Sequence, residues 1–493
     1  MSMRDAAIAA NRFGLGARPG ELRSIAADPR GWLLGQLVPE LELPAPLQAL
    51  PRTAEDQTAF FRWLRDYGRG ARAGRAERVA NTERAEPSSM SSTPVQTSVE
   101  QSYVKALLPV YVRAIEARMQ TALGTAFPFR ERLMRFWSNH FVVSAAKPAA
   151  ITLPASFERD VARKHVVGRF IDMLLAAEKH PAMLLFLDNA QTIGPGSVWG
   201  RHPDRVPDNG VTGRPRGLNE NLAREILELH TLGVNGGYTQ ADVTAFAHVI
   251  TGWQIANPFR QLKLKRFANW TADDFFHFNP DAHEPGAKTV LGTLYDQTGA
   301  AQGEAVLHDL AAHPNTAALV AGKLARHFAA DMPAQTLVDR LARAFRDSEG
   351  DLREVCRTLV NSPEPWAGDL TKFKPPEDYV LSVLRGLGGP NLTGIQQLTL
   401  LSEMGQRPYW SSGPDGWKDV ESEWLGADAL WKRLEWAELA GRAMARGTAD
   451  PLALAEDLLG PLISASTRAA VAQADSAAQG LALLVASPEF MRR

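Results

Sequence analysis

Apolar side chains recur at the 3.6-residue spacing of amphipathic helices along most of this 493-residue chain. The pattern is clearest in YVKALLPVYVRAIEARMQTAL, which begins at Tyr103, and in PFRERLMRFWSNHF, where Pro128 suits a first helical turn. Further helices are predicted at 3–13, 19–37, 55–68, 154–178, 180–187, 300–360, 376–405 and 427–490. The sequence therefore predicts a mainly α protein with a large multi-helix body.

Strand-like patterning is confined to FFHFNPDAHEPGAKTVLG, residues 275–292. Residues 275–278 and 288–291 are short β-prone runs on either side of a region rich in Pro and Gly. We therefore expect one small β-hairpin in this segment, with Lys288 pointing outward.

Composition divides the chain into three predicted parts. Residues 1–67 form an N-terminal helical segment that packs on the main body. Residues 68–102 are rich in Arg, Ala, Gly and Ser and poor in large apolar side chains, which predicts a flexible excursion. Residues 103–493 form the main helical domain, with long Gly/Pro-rich loops at 193–217 and 407–426. Loops of this length inside a helical body are often functional.

Bulk properties exclude several classes of function. The formal net charge of -1 gives no electrostatic argument for nucleic acid. The single cysteine, Cys356, excludes an internal disulfide framework and a Cys-rich zinc site. No apolar run reaches the roughly 18 residues of a membrane span, and no secretory signal is recognisable at the start. The predicted location is therefore the cytoplasm, with export as the alternative.

Most candidate site residues belong to one amphipathic stretch, NLAREILELH, which begins at Asn221. On an ideal α-helix Asn221, Glu225 and Glu228 share a polar edge, and Arg224 lies four residues before Glu228. His230 falls in the apolar stripe instead. Glu225 and His230 are therefore expected to point well apart, which excludes a metal site of the HExxH kind on this helix.

A second histidine is also predicted to face the core. In LMRFWSNHF, His140 shares one helical face with Phe136 and Trp137. A single histidine in such a stripe is more typical of a hydrogen-bonded core residue than of a ligand. Histidines and glutamates that converge in a helical core are nevertheless how helix bundles build metal sites. His140 and His230 are therefore candidate ligands, and the sequence leaves open whether their helices meet.

Two further segments supply candidates. His283, beside Glu284 in the β-prone segment, is a candidate acid–base group or ligand, because the pKa of histidine lies near physiological pH. Trp410 and Trp417, on one Gly/Pro-rich loop, are candidate pocket or cofactor-binding residues.

Other motifs favour a structural interpretation. In AGKLARHFAAD, the side chains of Lys323, Arg326 and His327 are predicted to form a solvated cationic helix side. The glycines of FGLGARPGE depart from GxGxxG and follow a helical pattern, which excludes dinucleotide binding there. Signatures of P-loop, serine-hydrolase and zincin proteins are absent from the sequence.

Seven segments together resemble a known family. They are, in chain order, NRFGLGARPGE, RFWSNHFVVS, HPAMLLFLDN, GLNENLAREILELHTLGVNGGYTQADV with TGW, HEPGAKTVLG, KPPEDYV and GPDGWKD. Along nearly its whole length the chain resembles the bacterial family called domain of unknown function 1800. The resemblance implies a helical protein, often exported and often encoded beside a second uncharacterised secreted family, and implies no established activity. Two positions depart from the family pattern: Glu284 follows His283 where Asp is expected, and His248 stands where Arg is expected.

The first functional hypothesis is an enzyme whose cleft is lined by His and Glu, and we favour it. The predicted catalytic residues are Asn221, Arg224, Glu225, Glu228 and His283. The predicted ligands, for a transition metal with nitrogen and oxygen donors, are His140, His230 and His283. Oxidation and hydrolysis both remain open, as does the identity of the cofactor.

The alternative is a non-catalytic helical protein that binds or matures a protein partner. Its interface would be the polar edge of Asn221, Glu225 and Glu228 together with the tryptophan loop. Burial discriminates between the two hypotheses, because a catalytic group lines a concave pocket whereas an interface is flat.

Overall fold

The computed structural model describes residues 2–56, 58–60, 94–206, 217–256, 272–368, 370–389, 391–445 and 450–493. Most of the predicted excursion at 68–102, and part of the predicted loop at 193–217, lie outside the described residues. The division of the chain into three parts stays a prediction.

Helices dominate the described chain, and the mainly α prediction is confirmed. The longer α-helices are Pro94–Gly124, Pro128–His140, Phe170–Lys179, Gln240–Val249, Ala300–Ala312, Pro314–Phe328, Gln335–Asp347, Leu352–Asn361, Pro376–Leu387, Gly394–Glu403, Ala427–Met444, Pro451–Leu459, Ala465–Ala472 and Ala477–Val485. The shorter ones are Met3–Ile8, Glu21–Ile25, Pro29–Leu34, Ala45–Gln48, Pro154–Phe157, Pro181–Phe186, Val198–Arg201, Asn221–Glu225, Ala272–Phe275 and Glu421–Trp424. Three segments are π-helical: Ala9–Phe13, Glu158–Arg163 and Ile226–His230. None of the described helices combines the length and apolar character that a membrane crossing requires.

Local sequence explains where several helices begin. The Pro128–His140 and Pro314–Phe328 helices start with proline, whose fixed φ and missing N–H suit the first turn. Thr239 and Asp242 form a capping box, in which each side chain accepts the backbone N–H of the other, at 2.8 and 3.2 Å. This box begins the Gln240–Val249 helix.

The β structure consists of two small antiparallel sheets rather than one hairpin spanning 275–292. Strand β1 (Trp253–Ile255) pairs with β2 (Phe276–Phe278), and β3 (Lys288–Val290) pairs with β4 (Thr293–Tyr295). The two predicted runs are both strands, but each has a different partner.

The turn after β3 explains that pairing. Leu291 and Gly292 have φ of 51° and 78°, so they form a two-residue hairpin turn in which both central residues have positive φ. The N–H of Leu291 donates to Asp242 Oδ1 at 2.7 Å, which fixes this unusual conformation for a leucine. The chain therefore reverses immediately after β3.

The outward orientation predicted for Lys288 is wrong. Lys288 is 8% exposed, and its Nζ donates to Gln302 Oε1 at 3.1 Å and to the carbonyl oxygen of Glu284. The β3–β4 hairpin packs on the Ala300–Ala312 helix, which turns this side of the strand into an interior face.

Residues near the N-terminus belong to the same hydrophobic core as the helical body. The Phe13 ring centroid lies 5.7 Å from those of Phe129 and Phe328 and 5.1 Å from that of Trp366. The buried guanidinium of Arg132 donates to the carbonyl oxygen of Gly14. These contacts fix the helix that carries His140 against the Pro314–Phe328 helix.

Candidate functional site

A cavity of about 340 Å³ lies beside the second half of the Pro128–His140 helix. The Pro314–Phe328 helix, the start of the Pro376–Leu387 helix and the 407–426 loop complete its walls. Its cationic lining residues are Arg118, Arg132, Arg135, Lys323, Arg326 and Lys418. Its carboxylates are Glu377, Asp378, Asp415 and Asp419. The lining therefore has an excess of positive charge. His140 and His327 also line the cavity, and they carry no charge when they are neutral.

Both ring nitrogens of His140 have partners. Its Nε2 lies 3.2 Å from the carbonyl oxygen of His230, and its Nδ1 lies 3.1 Å from Lys323 Nζ. Because a carbonyl oxygen only accepts, Nε2 carries the proton and Nδ1 accepts from Lys323. Burial, the Lys323 charge and His230 hold the pKa of His140 well below its usual value. His140 is therefore a neutral imidazole in a defined tautomer.

Lys323 is a half-buried amine with neutral hydrogen-bond partners. Its Nζ also donates to the carbonyl oxygen of Leu229 at 3.0 Å. Its hydrogen-bond partners among the described residues are thus neutral acceptors, although the charge of Asp415 on the same cavity lining acts to raise its pKa. Burial, with the nearby charge of Arg326, lowers the pKa of Lys323 to about 8. This amine therefore exchanges protons close to physiological pH.

The prediction of a solvated cationic helix side is right for Arg326 and wrong for its two neighbours. Arg326 is exposed, whereas Lys323 faces His140 and the His327 side chain is 14% exposed. The sequence carried a signal for this. His327 lies seven residues after the buried Val320, which places the two within about 20° of each other on an ideal helix.

His327 forms a second polar pair on the cavity wall. Its Nδ1 lies 2.6 Å from Asp419 Oδ2, while Asp419 Oδ1 lies 3.2 Å from both Arg493 Nη2 and Lys372 Nζ. Although burial opposes it, the charges of His327, Arg493 and Lys372 hold the pKa of Asp419 well below its usual range. Asp419 is therefore a permanent anion that anchors this wall.

Arginines and carboxylates alternate along the opposite wall. Glu158, from the Glu158–Arg163 π-helix, accepts from Arg118 Nε at 2.9 Å and from Ser138 Oγ at 3.0 Å. Glu377 pairs with Arg118 and, at 2.8 Å, with Arg135 Nη1. Arg135 Nε and Nη2 are buried without a hydrogen-bond partner among the described residues. Arg135 Nε nevertheless lies 4.0 Å from Glu131 Oε1, within ion-pair distance. Nη2 is therefore the donor of this guanidinium that lacks a carboxylate partner among the described residues.

The 407–426 loop is attached to the histidine helix by one asparagine. The side-chain amide of Asn139 donates to the carbonyl oxygen of Trp417 and accepts its N–H, each at 2.8 Å. Trp417 and Trp424 line the cavity, with ring centroids 5.7 Å apart. Trp410 does not line it and packs under the Arg407 guanidinium, 3.5 Å from the ring centroid. The two predicted tryptophans therefore have different environments.

Gly416 permits this attachment, and Gly416→Ala is expected to destabilise the protein by about 1–3 kcal/mol. Its φ is 73°, and an added Cβ would lie 2.6 Å from the backbone oxygen of Asn139. Denaturant unfolding followed by circular dichroism measures the effect. Gly322→Ala is the matched control: an added Cβ there meets open space inside a helix, and stability should rise by about 0.5–1 kcal/mol. An unchanged stability in Gly416→Ala would contradict the role of this glycine.

The predicted geometry of the Asn221 helix changes at Ile226. The α-helix ends at Glu225 and continues as a π-helix through His230. In a π-helix the hydrogen bonds join residues five apart, so residues at that spacing approach the same side. Burial raises the pKa of Glu225, and His230 gives the largest opposing effect. His230 therefore contributes to the electrostatic environment of Glu225, and the expectation that the two side chains point well apart stays a prediction.

The helices that carry His140 and His230 meet in space. The ring centroids of His140 and His230 are 6.2 Å apart. The hydrogen bond from His140 Nε2 to the backbone carbonyl oxygen of His230 joins the two helices. His230 Nδ1 lies 2.8 Å from Glu178 Oε1, and both side chains are at most 1% exposed. His140 therefore lines the cavity, and His230, which does not line it, holds the His140 ring through its carbonyl oxygen.

The remaining residues predicted on that helix lie outside the cavity lining. Asn221 is exposed, and Arg224 donates to Glu220 at 3.1 Å and to Gln240 at 2.9 Å. Glu228 accepts from the Tyr238 hydroxyl at 3.4 Å. Each of the two charged side chains thus has a neighbour on the outer face.

His283 also lies away from the cavity lining. Its Nδ1 donates to the carbonyl oxygen of Thr251 at 2.9 Å. Its neighbour Glu284 accepts the N–H of Gly196 at 2.6 Å, and Cβ atoms added at Gly194 or Gly196 would collide with Glu284. Glu284 therefore holds the described part of the 193–217 loop.

The three predicted metal ligands are not brought together. His140 and His230 are neighbours, but His283 bonds to Thr251 elsewhere. Within the described ranges, no three His, Cys, Asp or Glu side chains are grouped so that they could hold a metal ion. A metal cofactor therefore stays a prediction.

Comparison with known proteins gives one match. The family model described as "Protein of unknown function (DUF1800)" matches residues 8–492. No curated protein and no solved structure matches the chain. Because the match spans nearly the whole sequence, this chain belongs to the DUF1800 family.

Proposed function

We propose that the protein is an enzyme that binds a small anionic substrate in the cavity and performs acid–base chemistry on it with His140 and Lys323. The observation that carries this proposal is their contact on the cavity wall, 3.1 Å between Lys323 Nζ and His140 Nδ1. A neutral imidazole beside an amine whose pKa is about 8 suits proton transfer near neutral pH. Perturbed groups of this kind in a concave site are typical of catalysis.

The charge of the lining supports an anionic substrate. Six cationic side chains face four carboxylates there, and Arg135 Nη2 is buried without a hydrogen-bond partner among the described residues. A guanidinium fork matches the two oxygens of a carboxylate or phosphate group. A volume of about 340 Å³ is within the range of small-molecule sites. The aromatic rings of Trp417 and Trp424 offer an apolar surface for the rest of the molecule.

The segment from Asn221 to His230 contributes to the site indirectly, through the contact between His230 and His140. Glu178 holds the His230 ring, and the carbonyl oxygen of His230 accepts from His140. This chain of contacts fixes which nitrogen of His140 carries the proton. Glu178 and His230 therefore act as positioning residues in the proposal, and His140 as the group that contacts the substrate.

Anion binding is tested by thermal unfolding with inorganic phosphate, citrate and pyruvate as separate probes. At least one probe should raise the Tm of the wild type in proportion to the logarithm of its concentration. Arg135→Met should abolish that rise, measured from its own baseline. Arg357→Met is the matched control, because Arg357 is 52% exposed and, among the described residues, forms an ion pair only with Glu354 in the same helix.

Two results would overturn the proposal. Equal stabilisation of the wild type and of Arg135→Met would place the binding outside the cavity. The absence of any rise with all three probes would favour the partner-binding alternative.

A further inference from the structure

We infer that the substrate is a small 2-oxo acid and that Lys323 forms an imine with its carbonyl carbon. The inference rests on the proposed function of the same cavity and names the substrate class and the covalent step. It follows from the position of the amine, from the imidazole beside it and from the cationic groups around it.

The contacts of Lys323 leave its amine available for reaction. Its Nζ bonds two neutral acceptors, His140 Nδ1 at 3.1 Å and the carbonyl oxygen of Leu229 at 3.0 Å. Lys372 shows the opposite arrangement, since its Nζ lies 2.7 Å from Asp331 and 3.2 Å from Asp419. A lysine inside a carboxylate pair is held as a cation, whereas burial beside neutral acceptors favours the uncharged, nucleophilic amine.

The imidazole of His140 is placed for the proton transfers of imine formation. The uncharged Lys323 Nζ attacks the carbonyl carbon, so that a C–N bond forms while the π bond of the carbonyl group breaks and its electron pair moves to the oxygen. His140 Nδ1 carries one proton from the nitrogen to that oxygen, which becomes a hydroxyl group. The same imidazole then carries the second nitrogen proton to the hydroxyl group, which leaves as water. The nitrogen lone pair then completes the C=N bond. Amine and ketone thus give imine and water, with no oxidant or reductant required.

The cations around the amine fit the carboxylate of a 2-oxo acid. Arg118 and Arg135 lie on the same cavity wall and share Glu377. Arg118 also pairs with Glu158 at 2.9 Å, and Arg135 Nε lies 4.0 Å from Glu131. The donor that remains for a substrate carboxylate is Arg135 Nη2, which is buried without a hydrogen-bond partner among the described residues. A substrate carboxylate held by these arginines has its carbonyl carbon one bond away, which suits a lysine in the same small cavity. Bidentate binding also restricts the orientation of the carbonyl group.

Reductive trapping tests the inference. The full chain is incubated with pyruvate and sodium cyanoborohydride near pH 7.5, digested and mapped by mass spectrometry. The reduced pyruvate adduct should form on Lys323 at least about tenfold faster than on exposed lysines, because a larger fraction of its amine is uncharged. Lys323→Arg keeps the positive charge and should lose this adduct, while Lys432→Met, which removes an exposed lysine outside the cavity lining, should keep it.

Competition by inorganic phosphate provides a second readout that needs no variant. Phosphate should slow trapping at Lys323 and leave trapping at the exposed Lys432 unchanged. Equal trapping at Lys323 and Lys432 would overturn the imine. If pyruvate raises the Tm through Arg135 but leaves no adduct on Lys323, the imine is wrong while the proposed anion site stands. If neither effect occurs, both are wrong.

Discussion

Replacing Glu178 by alanine is expected to lower the free energy of unfolding by about 3–5 kcal/mol, because it breaks a fully buried charge and hydrogen-bond pair. Glu178 is 0% exposed and its Oε1 lies 2.8 Å from His230 Nδ1. Without the carboxylate, the N–H of a buried imidazole loses its acceptor, and a cavity remains between the Phe170–Lys179 helix and the π-helical turn. Equilibrium unfolding in guanidinium chloride measures the loss.

Glu178→Gln is the control that separates charge from hydrogen bonding. Glutamine has nearly the same shape and its side-chain oxygen still accepts from His230 Nδ1, so this variant should keep most of the stability. If Glu178→Gln is as unstable as Glu178→Ala, the charge itself is what His230 requires. If neither variant is destabilised, the pair does not hold the two helices together.

The consequence for the site is a test of positioning. His140 takes its tautomer from the carbonyl oxygen of His230, and His230 takes its orientation from Glu178. Loosening His230 should therefore alter the environment of His140 while Arg135 and the cationic lining remain in place. A Glu178→Ala variant that stays folded and still binds anions would show that anion recognition does not depend on the orientation of His230.

The fold class was predictable because helical periodicity is a local property of sequence. The π-helix at Ile226–His230 was not, since its sequence, ILELH, has ordinary helix propensity and the extra residue per turn depends on packing. Angles measured on an ideal α-helix therefore do not describe the relative directions of Glu225 and His230. The β3 strand was predicted, but its pairing with β4 was not, because the Leu291–Gly292 turn adopts positive φ at a leucine and no common turn signature predicts this.

The candidate site was predictable only in part, because the cavity joins segments far apart in the chain. His140 and Trp417 were identified from local pattern, and both line it. The local sequence pattern did not identify Lys323 or Arg135 as cavity residues. A charged side chain is predicted to be exposed to solvent unless the segment that covers it is known. The opposing wall here comes from the 407–426 loop, almost a hundred residues later than Lys323 in the sequence.

A second strong effect is expected at Asp56, where Asp56→Asn should stabilise the protein far more at pH 8 than at pH 5. Asp56 is 4% exposed, and burial raises its pKa from 3.8 to about 8, with Arg159 opposing. A raised folded-state pKa means that the folded protein keeps a proton that the unfolded chain releases above pH 3.8. The wild type therefore loses stability as the pH rises from about 4 to 8, and this group adds no further loss above that window.

Asparagine is neutral at every pH and removes this loss. The gain in the free energy of unfolding on Asp56→Asn should be about 2–4 kcal/mol larger at pH 8 than at pH 5. Urea unfolding at both pH values measures it. Glu55→Gln is the matched control, since Glu55 is the adjacent residue and its side chain is 54% exposed; its effect should be small and the same at both pH values.

The prediction depends on a difference between Asp56 and Asp160: the pKa of Asp56 is raised, whereas the pKa of Asp160 is lowered. Asp160 accepts from Thr53 Oγ1 and, at 2.9 Å, from Arg159 Nε. Although burial opposes it, His180 and Arg159 hold the pKa of Asp160 far below the usual range. Asp56 Oδ1 is buried without a hydrogen-bond partner among the described residues, and the charge of Asp160 further opposes its ionisation. One guanidinium, Arg159, thus stabilises one of the two carboxylates and leaves the other protonated. If Asp56→Asn gives the same change at pH 5 and pH 8, Asp56 is ionised in the folded protein and shares Arg159 with Asp160.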